Sequence, residues 1–291
     1  VLLMNEIFKH VNSEINKIGL NYHYLNNQEY DDWLLFVLKH IDELGENDRA
    51  GDSRIEKWNS GWAESYDRSS YVPGYFGKYP ILRMGGKWVY AEDTADVCLE
   101  YQSLCFLQEY IFKEYLPDVD YAYEFGCGTG HNLMRVSWAN QKLRGICGLD
   151  WVDTSLKSVD SLNGFMYNVS SKKFNMFDPD FDFELKRNSA VITIASMEQL
   201  GADFQSFVSY LLKNKPKYVI HIEPINELLS PDNLLDYLSI KYAEKRNYLS
   251  GYLGYLRILE KENIIKILQC ERSYIGSLFI DGYSVLVWEV I

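Results

Sequence analysis

Apolar residues recur at helical spacing over residues 5–18 and 29–44, which predicts two amphipathic helices near the start of the chain. The run from 97 to 112, Val-Cys-Leu-Glu-Tyr-Gln-Ser-Leu-Cys-Phe-Leu-Gln-Glu-Tyr-Ile-Phe, predicts an apolar helix that leads to Pro117. Short apolar runs then alternate with helical patterns. Residues 121–125, 146–149, 189–196 and 217–224 read as strands, and the β-branched 189–196 has the composition of a central strand buried on both faces. Pro224 stops the last of these where a loop must start. Residues 232–245 and 249–261 predict two further helices, and 264–270 and 283–290 predict two strands joined through Gly276 and Gly282. Alternating strands and helices that close on a hairpin-like pair define an α/β domain with a mostly parallel sheet. The stretch 45–86 differs. It carries Trp58, Trp62, Tyr66, Tyr71, Tyr75, Phe76 and Tyr79 among Gly, Pro and Ser, too aromatic for a disordered linker and too irregular for a single helix or sheet. It reads as an ordered cap, so residues 1–95 form a cap and substrate-selecting region and 96–291 the main domain.

The chemistry concentrates in Tyr121-Ala-Tyr-Glu-Phe-Gly-Cys-Gly-Thr-Gly-His131, a strand running into a glycine-rich turn and then a helix. Glycines there let the backbone fold tightly and approach a ligand, and the helix start offers unpaired N–H groups. About twenty residues on, a second strand ends in Asp150, where α/β folds commonly hold ribose hydroxyls. A dinucleotide fingerprint wants a small residue at position 131, where this chain has His131.

With Glu124 two residues before Gly126, the segment resembles the first motif of the class I S-adenosylmethionine (SAM)-dependent methyltransferases, and the resemblance covers roughly residues 119–291. It implies a Rossmann-like, seven-stranded, mostly parallel sheet of order 3-2-1-4-5-7-6 with helices on both faces. It further implies that Glu124, Phe125, Gly126, Cys127, Gly128, Gly130 and His131 border the methionine portion of SAM. Asp150, followed by Trp151, takes the ribose. The resemblance also makes 173–178 the third strand, where Asn175 and Met176 meet the adenine, and places Ser196 and Met197 near the transferable methyl. The cofactor is then SAM and the product S-adenosylhomocysteine (SAH).

Composition narrows the partners. A chain of 291 residues, 47% apolar, can bury a large core, and no apolar run approaches the length of a membrane span. The formal charge of −12 repels nucleic acid phosphates, which leaves a small molecule as acceptor, with no nucleic acid and no membrane. Five scattered cysteines without a CxxC pair read as free thiols of a cytoplasmic protein, and Asp178, Asp180 and Asp182 as solvated loop residues, so no metal is expected. A homodimer stays open.

Because SAM is already activated, an enzyme using it must align the acceptor, exclude water and, for a hydroxyl, remove a proton. His221, near the end of the fifth strand, is the first candidate for that base, and Glu223 shares its face. Glu198 and Gln199 follow the fourth strand and stand as the second base and an acceptor contact. Trp62 and Tyr71 are the leading cap contacts, and Arg272 would meet a substrate phosphate or carboxylate. The reading favours O-methylation of a sugar or sugar nucleotide. N- or O-methylation of another metabolite, a nicotinamide-dependent oxidoreductase and a non-catalytic binding partner are the alternatives.

Overall fold

The computed structural model describes residues 5–51, 54–66, 72–93, 97–166 and 168–291, with the side chains of 47 and 62–66 outside that set. Seven strands form the main sheet: β4 (Tyr121–Phe125), β5 (Gly145–Asp150), β6 (Val169–Lys173), β7 (Ser189–Ile194), β8 (Tyr218–Glu223), β9 (Ile265–Glu271) and β11 (Ser284–Val290). Their order is β6-β5-β4-β7-β8-β11-β9, the expected 3-2-1-4-5-7-6. β6 through β8 run parallel, and β11 is antiparallel to both β8 and β9.

Alternation along the central strands sends neighbouring residues to opposite faces. Ala122, Ile192 and Ile220 join one apolar core, whereas Tyr123, Val191 and Val219 join the other. The first core is covered by α1 (Glu6–Lys17), α4 (Leu99–Tyr115), α5 (His131–Ala139) and α6 (Asp153–Ser161), and the second by α7 (Gln205–Asn214) and α9 (Tyr252–Lys261). Asn5 starts α1 by accepting the Phe8 N–H at 3.0 Å, and Ile7, Phe8, Val11 and Ile15 bury its apolar stripe.

Residues 22–91 build a second sheet, β1 (Tyr22–Tyr24), β2 (Ile81–Met84) and β3 (Lys87–Ala91), with α2 (Asn27–Glu43) and α3 (Ile55–Tyr66) outside it. Gly85 and Gly86, at φ 63° and 72°, turn β2 back into β3, the left-handed pair a two-residue hairpin requires. Its fourth strand is β10 (Ile275–Gly276), which comes from the C-terminal part of the chain and pairs with β2. Arg83 of β2 is fully buried and donates to the carbonyls of Leu235 at 2.8 Å, at the start of α8 (Leu234–Arg246), and Phe279 at 3.0 Å. These bonds join the second sheet to the main domain. Among the described residues no helix is long and apolar enough to cross a membrane.

One strand boundary is corrected. The third strand is Val169–Lys173, so Asn175 and Met176 lie beyond its end, not within it. Asn175 Oδ1 accepts the Phe177 N–H at 3.0 Å, a local turn that takes the backbone off the sheet.

Candidate active site

The C-terminal ends of β4, β5, β6 and β7 converge on one cleft, as parallel sheets dictate for their ligands. Its outer part is lined by Gly126, Asp150, Trp151, Asn175, Met176 and Ser196, with Gln199 and the cap residue Trp58. An inner chamber of about 200 Å³ shares Trp58, Gly126 and Ala195 with it and continues past Gly128, His131 and Glu198 to Tyr75, Glu100 and Tyr283.

The turn after β4 works because it is glycine. Gly126 and Gly128 have φ of 72° and 53°. A Cβ on Gly126 would stand 2.4 Å from the Ser196 Cβ, so the floor of the cleft exists only without a side chain there. Asp150 braces the turn, accepting the Gly128 N–H at 2.9 Å and the Val152 N–H at 3.2 Å. Each of its oxygens keeps a lone pair for a further donor. Glu124 is buried, receives the Asn132 amide at 2.6 Å, and has a second oxygen with no partner among the described residues. Burial pushes its carboxyl up to about 8. Asn175 has given its oxygen to Phe177, so the group left over is the amide N–H, a donor. The Trp151 and Phe177 rings stack at 5.7 Å and 24° on the outer rim.

The end of β7 carries strain. Ala195 has φ 46°, left-handed in a residue with a Cβ, and lines both parts of the cleft. Glu223 holds this turn: its carboxylate accepts the N–H groups of Ser196 at 3.1 Å and Met197 at 3.0 Å. That is a bracing role, and Glu223 lines neither part of the cleft. Met197 is buried in the second core.

His221 is placed away from the acceptor. Alternation turns its ring into the core under α9, fully buried, with Nδ1 2.8 Å from Thr193 Oγ1 and Nε2 2.7 Å from the Tyr252 hydroxyl and 3.1 Å from Trp288 Nε1. The indole N–H only donates, so Nε2 accepts and the proton resides on Nδ1. Burial lowers the imidazole to about 3, and it stays neutral. The base expected at His221 is therefore corrected to a hydrogen-bonded core group. Arg272 is likewise committed, to Asp236 and Asp281 at 2.7 Å each, and lies outside the chamber. Trp62 has its side chain, and Tyr71 its whole structure, outside the described residues.

Glu198 does reach the inner chamber. It is buried, accepts the Gln199 amide at 3.0 Å, and is pushed up to about 8 by burial and then by Glu223. His131 lines the same chamber with Nε2 3.3 Å from the Tyr75 hydroxyl, and burial, then Arg135, lower it to about 3. Sequence reasoning missed Glu100. It stands in the first turn of α4, where an acid needs no explanation beyond the helix dipole, and only the fold turns it into the chamber. The Gly77 N–H and the Tyr283 hydroxyl each approach its carboxylate at 3.4 Å, and burial pushes it up to about 7.

A seven-stranded sheet of this order, with its one antiparallel strand inserted before the edge and a glycine turn after the first strand, is the Rossmann-like methyltransferase fold. Among solved structures, the N-methyltransferase NodS from Bradyrhizobium japonicum WM9, in complex with SAH, superposes with a TM-score of 0.50 at 6% identity, over 80% of this chain and 98% of that one. A SAM-dependent methyltransferase from Aquifex aeolicus gives 0.44 at 15% identity, covering 63% and 89%. Human N-acetylserotonin methyltransferase in complex with SAM gives 0.46 at 11%, covering 65% and 53%. No family model and no curated protein sequence matches the chain.

Proposed function

We propose that the chain is a SAM-dependent methyltransferase acting on a small polar acceptor. The observation that carries the reading is the continuous cleft floored by Gly126, with Asp150 on the outer side and Gly128 and His131 along the inner part. The lining of the outer part matches the chemistry of an adenosyl group. Asp150 retains acceptor lone pairs for ribose hydroxyls, Asn175 offers an amide N–H to an adenine ring nitrogen, and Trp151, Met176 and Phe177 supply apolar faces. Glu124 lines neither part of the cleft and is bonded to Asn132, so its role is to brace the turn from behind. The fold neighbour NodS is an N-methyltransferase solved with SAH, which agrees with this cofactor.

Bound SAM supplies an activated methyl group, so the chain's residues need only position the acceptor and handle one proton. Trp58 and the strained turn at Ala195 stand at the junction of the two compartments and separate cofactor from acceptor. Glu198 and Glu100 are the proton-handling groups within reach of the chamber. The aromatic walls Tyr75, Phe76 and Tyr283 suit a sugar face or a planar ring. A sugar nucleotide is less well served. Its diphosphate needs a cation, Arg272 is already held by two carboxylates, and no Lys or Arg lines the chamber among the described residues. Five free cysteines support a reducing compartment, and the cytoplasm is the proposed location.

The test is transfer of label from tritium-methyl SAM to a panel of small sugars, amines and phenols. Label in one acceptor class, with release of SAH, is the expected result. SAH that binds without any transfer across the panel would favour a binding protein on the same fold.

A further inference from the structure

The inner chamber is unusual in the sign of its polar groups. Two carboxyl groups reach it from distant elements: Glu100 from the start of α4, and Glu198 from the turn after β7. His131 is neutral, and no Lys or Arg lines the chamber among the described residues. Arg246 lies near Glu198 and keeps its charge while donating to the Tyr248 hydroxyl at 3.3 Å, but it does not line the chamber. Asp93 lies beside Glu100 and Glu223 beside Glu198, and each raises its neighbour's carboxyl further. Buried carboxylates are costly unless something donates to them.

A second, independent feature points the same way. Gln199 spends its amide N–H on Glu198 and leaves its buried carbonyl oxygen without a partner, at the wall of the adjoining cleft. The chamber's own donors are the neutral groups of Tyr75, Asn132, Ser277 and Tyr283, and no cationic side chain lines it among the described residues. Tyr75, Phe76 and Tyr283 complete the wall, and aromatic faces attract cations.

We propose that the chamber takes the acceptor as a basic amine, held between the carboxyl groups of Glu100 and Glu198, and that methyl transfer goes to its nitrogen. The proposal rests on the outer cleft being the SAM site. A protonated amine brings up to three N–H donors and one positive charge to a chamber lined by carboxyl groups and by no cation, whereas a hydroxyl brings one donor and no charge. The amine must give one proton to a carboxylate before it can react. The freed nitrogen lone pair then forms the C–N bond as the methyl–sulfur bond breaks, and that bond's electron pair stays on sulfur. The methylated nitrogen carries the positive charge away, and the carboxyl returns its proton to water.

Matched probes test this by binding as well as by turnover. The protein saturated with SAH is titrated with benzylamine against benzyl alcohol, and with glucosamine against glucose. The amine of at least one pair should bind roughly tenfold or more tighter than its alcohol, and Glu100→Gln or Glu198→Gln should each weaken it about tenfold or more, the scale of a charged hydrogen bond. SAH affinity should be unchanged in both variants, which also reports that they are folded. Equal binding of amine and alcohol, no amine binding at millimolar concentration, or an amine preference that survives both substitutions would overturn the proposal. A native protein that does not bind SAH would instead refute the cofactor reading, and the same titrations without SAH would still decide the chamber.

Discussion

Adding one methyl group at Gly126 should close the floor of the cleft, and the size of the effect can be worked from the geometry. Gly126 has φ 72°, and the new Cβ would stand 2.4 Å from Ser196 Cβ and 2.9 Å from its Oγ. The left-handed conformation costs a residue with a Cβ about 1–2 kcal/mol, and overpacking at a site that cannot open costs a further ~1–3 kcal/mol. Gly126→Ala should thus lose about 2–5 kcal/mol of stability in urea unfolding followed by circular dichroism, and the folded fraction should bind SAH weakly. Ser196→Gly separates the two contributions. That change removes the colliding atoms and sacrifices the Ser196 hydroxyl bond to the Phe125 carbonyl, 2.9 Å long, at about 1 kcal/mol. In the double variant the overpacking cost should vanish and only the backbone cost remain, so the cycle should show about 1–3 kcal/mol of favourable coupling. A Gly126→Ala protein as stable as the native one, or a cycle with no coupling, would refute the packing argument.

His221→Ala should destabilise the fold by roughly 3–5 kcal/mol, because it opens a cavity and strands the Trp288 N–H and the Tyr252 hydroxyl. SAH affinity of the folded fraction should hold within about threefold; a collapse of affinity without loss of stability would return His221 to the site. Stability should also fall as pH rises from 6.5. The buried carboxyls of Glu100, Glu124, Glu198 and Glu223 are raised from 4.5 to about 7, 8, 8 and 7, so each stabilises below 4.5 and loses that contribution as pH climbs through its folded value. His131 and His221, lowered from 6.5 to about 3, act oppositely and only below 6.5. Above 6.5 the carboxyls alone count, at on the order of 1–2 kcal/mol per group, and a melting temperature that is flat or rising up to about pH 8.5 would contradict their burial.

Much of this architecture was readable from periodicity because the central strands are apolar on both faces. The 189–194 run is β-branched from Val191 to Ile194 and forms the middle strand of the sheet. The edge strand β6 is different: its residues Ser170, Ser171, Lys172 and Lys173 show no apolar alternation, and the resemblance points instead to 173–178. The apolar residues of that segment serve the cleft. The β2–β3 hairpin did leave a signal, the Gly85-Gly86 pair between two apolar runs. β10 left none, being two residues long and paired with a partner nearly two hundred residues away. The glycine turn and Asp150 fell together as their spacing implied. His221 did not join them, because strand register alone decides which face a side chain takes. Glu100 and the left-handed Ala195 are products of tertiary packing and carry no local signature.

Isothermal titration of the native chain and Asp150→Ala with SAH and with NAD is the most direct test of the cofactor cleft. One SAH per chain should bind and NAD should not, and Asp150→Ala should weaken SAH by about 1.5–3 kcal/mol through the loss of charge-assisted ribose bonds. NAD binding in place of SAH, or SAH affinity that is indifferent to Asp150, would contradict the account.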